Sequence, residues 1–164
     1  MKSFRLAPMS RDLWRLSAFL WLLPLTFLVL ARLVSAVFLL PAGLLLMIYA
    51  LIWFWFRPSR FEVDAASVIV AWPLRTEAIT RERIRSARIM DAETMKSELG
   101  RAFRIGAGGL WGGFGLLHTT NRGMVRFYIS RTDSFVWLEL REGRHWLITP
   151  DEPESFLRAM NLPG

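Results

Sequence analysis

Residues 13–33 read LWRLSAFLWLLPLTFLVLARL, and residues 37–56 read VFLLPAGLLLMIYALIWFWF. These two apolar runs decide the architecture. In the first, Ser17 to Leu30 carries no charge, and Ser10 is placed to cap its N-terminus. A helix from Ser10 to Leu33 is about 36 Å long. A hydrocarbon core is about 30 Å thick, so this helix crosses it and reaches both interfaces. The second run matches one further span. Only Arg32 to Ala36 connects the two, so the helices must fold back as an antiparallel hairpin.

Other readings of the runs fit less well. Val34-Ser35-Ala36 resembles a signal-peptidase site, but another apolar span follows at once. A soluble domain of this size could not enclose two helices apolar on every face. Pro24 lies inside the first helix, where a membrane span tolerates it with a kink. Pro41 falls in the first turn of the second helix, where a missing N–H costs little. Gly43 and Ala50, seven residues apart, are expected to let the helices approach closely.

The net charge of +7 is unevenly placed. Residues 1–60 hold seven basic side chains and one acid, whereas residues 61–164 hold fourteen and thirteen. The excess therefore flanks the apolar runs, which is a topology signal. A nucleic-acid-binding domain would carry the excess itself, so nucleic acid is not an expected partner. Four basic residues precede the first helix, Arg57 and Arg60 follow the second, and Arg32 alone marks the turn. The positive-inside rule then predicts a multi-pass protein with both termini cytoplasmic. Trp14, Trp53 and Trp55, with Arg57 and Arg60, are expected to be interface anchors.

There is no cysteine, so thiolate chemistry, disulfides and Cys-ligated metal are excluded. Residues 1–57 read as the membrane anchor and residues 58–164 as a cytoplasmic domain.

In that domain the pattern changes to short alternating segments. Ser67–Ala71 and Ile84–Met90 are expected strands. Asp91–Leu99 reads as a helical turn or an irregular connection. Leu116–Thr119, Val125–Ser130, Ser134–Leu140 and Arg144–Ile148 are separated by short turns, as in antiparallel hairpins. A C-terminal helix follows. Its cap is sought either at Thr149-Pro150 or in the pair Asp151 and Glu154, and Leu162-Pro163-Gly164 ends it. Phe156, Leu157 and Met160 form its apolar stripe. The fold class is thus α+β: a transmembrane hairpin, then a mostly antiparallel β domain with a C-terminal helix.

Two stretches carry a family likeness. They are RAFRIGAGGLWGGFG at residues 101–115 and ITPDEPESFL at residues 148–157. With the hairpins between them, they resemble bacterial pleckstrin-homology (PH)-like domain proteins over roughly residues 60–160. The resemblance implies a strongly bent sheet of about seven strands, plugged by the C-terminal helix. It implies no catalytic residue and no fixed ligand.

The residues themselves point to no chemistry. The glycine run 106–115 lacks a P-loop's Gly-Lys-Ser/Thr ending and has no proper G-x-G-x-x-G. It reads as a tight turn or bulge, with Leu110, Trp111 and Phe114 either packing or touching the membrane or a partner. Arg83, Arg85, Arg101 and Arg104 are candidate contacts for anionic lipid or a partner, weighed against a solvated face balanced by acids. His118 and His145 are too few for a metal site. No cofactor and no enzyme activity are expected. The preferred expectation is a membrane-anchored interaction module for protein partners. Anionic-lipid sensing, an accessory role beside a membrane enzyme or transporter, and self-association are the alternatives.

Overall fold

The computed structural model describes residues 1–160; the helix stop expected at Leu162-Pro163-Gly164 lies outside them. Helix α1 is Arg11–Leu33; Ser10 holds the N-cap position, but its hydroxyl makes no capping hydrogen bond. A short 3₁₀ turn, Ala36–Phe38, leads into α2, Leu39–Leu51. The last turn, Ile52–Phe56, widens: the Arg57 N–H reaches back five residues to the Ile52 carbonyl at 2.9 Å. Pro58 follows, and the residue before a proline leaves helical geometry, so the helix stops there. Both helical segments are long and apolar enough to cross a membrane, and only 11% of each apolar window is buried. Helices that apolar and that exposed have the length and composition of membrane spans.

One polar contact holds the hairpin. Pro24 has no N–H, so the Leu20 carbonyl four residues earlier loses its helical donor. The Tyr49 hydroxyl donates to that carbonyl at 2.7 Å. Ala42 and Tyr49 are the buried positions of α2. The close approach expected at Gly43 is not found: nothing lies within 4 Å of where its Cβ would be. Ala42, one residue earlier, faces the partner helix in its place, since a helix turns about 100° per residue.

The β domain holds two sheets. The first has the order β1-β2-β3-β4, all antiparallel, from Lys2–Arg5, Arg60–Val63, Ser67–Ala71 and Thr76–Thr80. Strand β1 precedes the hairpin in sequence yet pairs with β2, Phe4 opposite Phe61. The basic leader is therefore also a structural edge of the domain. The second sheet has the order β5-β9-β10-β8-β7-β6. Its strands are β5 Ile84–Met90, β6 Ala102–Gly108, β7 Gly113–Thr119, β8 Gly123–Ile129, β9 Phe135–Leu140 and β10 Trp146–Ile148. All its pairs are antiparallel except β10 with β8, which run parallel. Ten strands thus replace the seven or so implied by the resemblance.

The two sheets enclose the main core, which includes Phe61, Val70, Phe114, Tyr128, Val136 and Ile148. Helix α4, Pro153–Met160, closes it with Phe156, whose ring meets Phe4 edge-on at 5.3 Å. Pro153 takes the first helical position, so neither expected cap forms: the Asp151 carboxylate accepts from Glu152 N–H at 3.1 Å, and Pro150 bridges to Leu6. Helix α3, Ala92–Leu99, is capped by Asp91, whose carboxylate accepts from Thr94 N–H at 2.7 Å. It covers the outer face of the second sheet over Trp137, Phe127 and Val125. A regular helix forms where a turn or irregular connection was the expectation, because this cap and the buried Leu99 hold both of its ends.

Candidate functional site

The end of the domain next to the hairpin is set by three attachments. Ser59 N–H donates to the Ala71 carbonyl, so β3 ends level with the exit of α2. Ser10 N–H donates to Ser130, which puts the β8–β9 loop beside the start of α1. The third is the β6–β7 turn, which docks on the helices themselves.

That turn, Gly109 to Gly112, is closed by Gly109 N–H to Gly112 O at 2.8 Å. The Ser17 hydroxyl serves both of its inner backbone groups. It donates to Gly109 O at 2.9 Å and accepts from Trp111 N–H at 2.8 Å. A Cβ on Gly109 would sit 3.2 Å from Leu16, and its φ of +98° already disfavours any side chain. Trp111, itself at φ +59°, enters a cluster of aromatic rings. Its ring lies 4.8 Å from Trp53, 6.2 Å from Trp21 and 6.3 Å from Tyr49. These edge-on distances are the preferred aromatic geometry. The turn's irregular backbone is satisfied by protein groups.

The candidates picked from the glycine run are therefore placed inside the structure. Leu110 is buried beneath the turn and Phe114 lies wholly in the main core. Trp111 packs on the hairpin. Trp53 shares in that packing, with the Arg57 guanidinium 4.4 Å above its ring. Trp14 and Trp55 are exposed along the helices, and Arg60 pairs with Glu62.

The candidate arginines are spread elsewhere. Ile84 pairs with Leu140, at the end of β9 away from the helices, so Arg83 and Arg85 lie at the far end of the domain. Arg101 precedes Ala102, which pairs with Thr119, also at the far end. Arg104 lies over the Phe127 ring at 5.3 Å. Arg83 lines an open groove of about 230 Å³ with Arg126, Arg144, Ile79 and Trp146, where Glu77 pairs with Arg126.

The feature missed in the sequence is the edge strand. Strand β6 is outermost in its sheet, and among the described residues only β7 pairs with it. Phe103 is 70% and Ile105 49% exposed, on one face of that edge. Their alternation with Arg104 was a readable signal, obscured by the glycines that follow. Among the described residues no group of three or more His, Cys, Asp or Glu could hold a metal ion. His145 is structural: its Nδ1 accepts from Leu140 N–H at 3.1 Å, and burial pushes its pKa below the usual value.

The residue likeness implied one bent sheet of about seven strands; the domain has two sheets, and the C-terminal helix packs on their core as implied. The sequence model described as Bacterial PH domain matches residues 59–162, well over half of the chain. The chain belongs to the bacterial PH domain family. No curated protein and no solved structure gives a significant match. The PH domain found here is of a binding type, and fold alone does not name what it binds.

Proposed function

We propose that the chain is a non-catalytic, membrane-anchored interaction module. Its PH-like domain takes a protein partner at the cytoplasmic face of the bacterial inner membrane, with both termini in the cytoplasm. The observation that carries this reading is the free edge of β6 with Phe103 and Ile105 beside it. An unpaired ladder of N–H and C=O groups is recognised best by another backbone, and flanking apolar side chains supply selectivity. The edge runs from the hairpin contact at Gly108 outward to Ala102, so it suits an extended segment of a neighbouring membrane protein. A membrane enzyme or transporter fits the same description as partner.

A photo-cross-linker placed at Phe103 in intact membranes tests the reading. It should capture a discrete protein, and capture should be lost when Ile105 is replaced by Lys. Recovery of lipid and self-contacts alone would exclude it. A reporter fused to the C-terminus should signal the cytoplasm; a periplasmic signal would reverse the orientation.

A further inference from the structure

We infer that the β3–β4 turn, Trp72-Pro73-Leu74-Arg75, is a membrane contact separate from the helices. It places Leu74 at the headgroup–acyl boundary of the leaflet where α2 ends. The inference rests on the hairpin lying in a bilayer, and on nothing about a protein partner.

The geometry follows from register. Strand β2 leads away from α2 starting at Arg60, and β3 returns with Ala71 opposite Arg60. The chain then continues toward the helix end. Trp72 N–H donates to the Arg75 carbonyl at 2.8 Å, closing a two-residue turn in which Pro73 takes its favoured position. At about 3.3 Å per strand residue, the tip lies roughly 7 Å beyond Arg60, back along the exit of α2. A hydrogen bond fixes that level: Trp72 Nε1–H donates to the Phe56 carbonyl, in the last turn of α2, at 2.9 Å.

The chemistry of the turn suits an interface. Leu74 is 64% exposed at the tip of the turn. Trp72 is buried, and the Arg75 guanidinium stacks 4.2 Å above its ring. The Trp53 and Arg57 pair repeats the motif at the end of α2. Arg5, opposite Arg60 in the register, adds a further cation at this end. An apolar tip ringed by arginines and tryptophan is the composition that settles at a lipid–water boundary. Of the arginines first singled out, Arg83, Arg85 and Arg101 lie at the other end of the domain, and Arg104 reaches toward Gly108, so this turn takes the lipid-facing role.

The absence of cysteine makes the test direct. Three single-cysteine variants of the full chain, Leu74→Cys, Met47→Cys and Asn121→Cys, are labelled with an environment-sensitive fluorophore. They are then reconstituted in vesicles of phosphatidylglycerol and phosphatidylethanolamine. Met47 reports the lipid-exposed flank of α2, and Asn121 the distal β7–β8 turn. Both labelled sites in the domain are exposed, so the fold tolerates them. The expected result is that Leu74→Cys and Met47→Cys lose most of their emission to lipids brominated along the acyl chain, at shallow positions for Leu74. Asn121→Cys should respond only to aqueous iodide. A Leu74 label quenched by iodide as readily as the Asn121 label, with Met47 still quenched by lipid, overturns the inference. A Met47 label that ignores brominated lipid overturns it together with the membrane hairpin.

Discussion

The Tyr49 hydroxyl donates to the Leu20 carbonyl, the one group in α1 that Pro24 leaves without a helical donor. Proline and tyrosine sit on different helices, 25 residues apart, and each explains the other. Tyr49→Phe should weaken the hairpin by about 1 kcal/mol, the usual net value of such a bond. In a Pro24→Ala background the carbonyl regains an N–H, so the same change should cost less. Unfolding in mixed micelles, run as a double-mutant cycle, measures the difference. Equal costs in both backgrounds would mean that the two residues are not coupled.

Ser17 should hold the domain against the helices. Ser17→Ala strands a buried carbonyl on Gly109 and an N–H on Trp111, at about 1–3 kcal/mol for each unsatisfied group. Amide exchange at Trp111 should accelerate by at least about tenfold, since 1.4 kcal/mol is one decade. Exchange in α3, on the far face of the sheet, should not change. Uniform acceleration would point to global destabilisation instead.

His145 predicts a pH dependence. Its pKa is lowered from the usual 6.5 chiefly by burial, with Arg122 adding to the shift and Glu139 opposing it. The unfolded chain therefore binds the proton more readily than the folded one. Stability is complete above about pH 6.5 and is lost as pH falls from there through the lower folded pKa. The protonated Nδ1 can no longer accept from Leu140 N–H. A nuclear magnetic resonance titration should show a midpoint below 6.5, accompanied by a shift of the Leu140 amide. His145→Asn should flatten this part of the stability profile.

The edge strand and the core should separate cleanly. Phe103→Lys, on an exposed edge, should change stability by no more than about 0.5 kcal/mol. Phe127→Ala, on the same sheet but wholly enclosed, should cost about 3–5 kcal/mol. Thermal unfolding of both variants checks the contrast. A large loss from Phe103→Lys would show that Phe103 packs within this chain.

Much of the fold was legible in local pattern. The two apolar runs specified α1 and α2, because crossing a bilayer needs length and apolarity and both are properties of a continuous segment. Ser67–Ala71 and Ile84–Met90 were readable as strands to the residue, and in the first Val68 and Val70 show the period of two that one-sided burial imposes. Strand β1 was not, because four residues with two basic side chains have no strand signal until β2 offers a free edge. The parallel pairing of β10 with β8 was hidden for the same reason: it depends on which neighbour the chain meets.

The sequence by itself determined that two helices long and apolar enough to cross a membrane precede a small PH-like β domain, through composition, charge placement and turn residues. Only the tertiary structure decided which side chains are enclosed in the core and which stay exposed. It buried Phe114, sent Arg83 and Arg85 to the far end, docked Trp111 on Ser17 and left Phe103 and Leu74 exposed. The physical reason is range. Hydropathy and capping act over a few neighbouring residues, whereas exposure is set by register between strands distant in sequence, and one residue of slip moves every side chain to the other face.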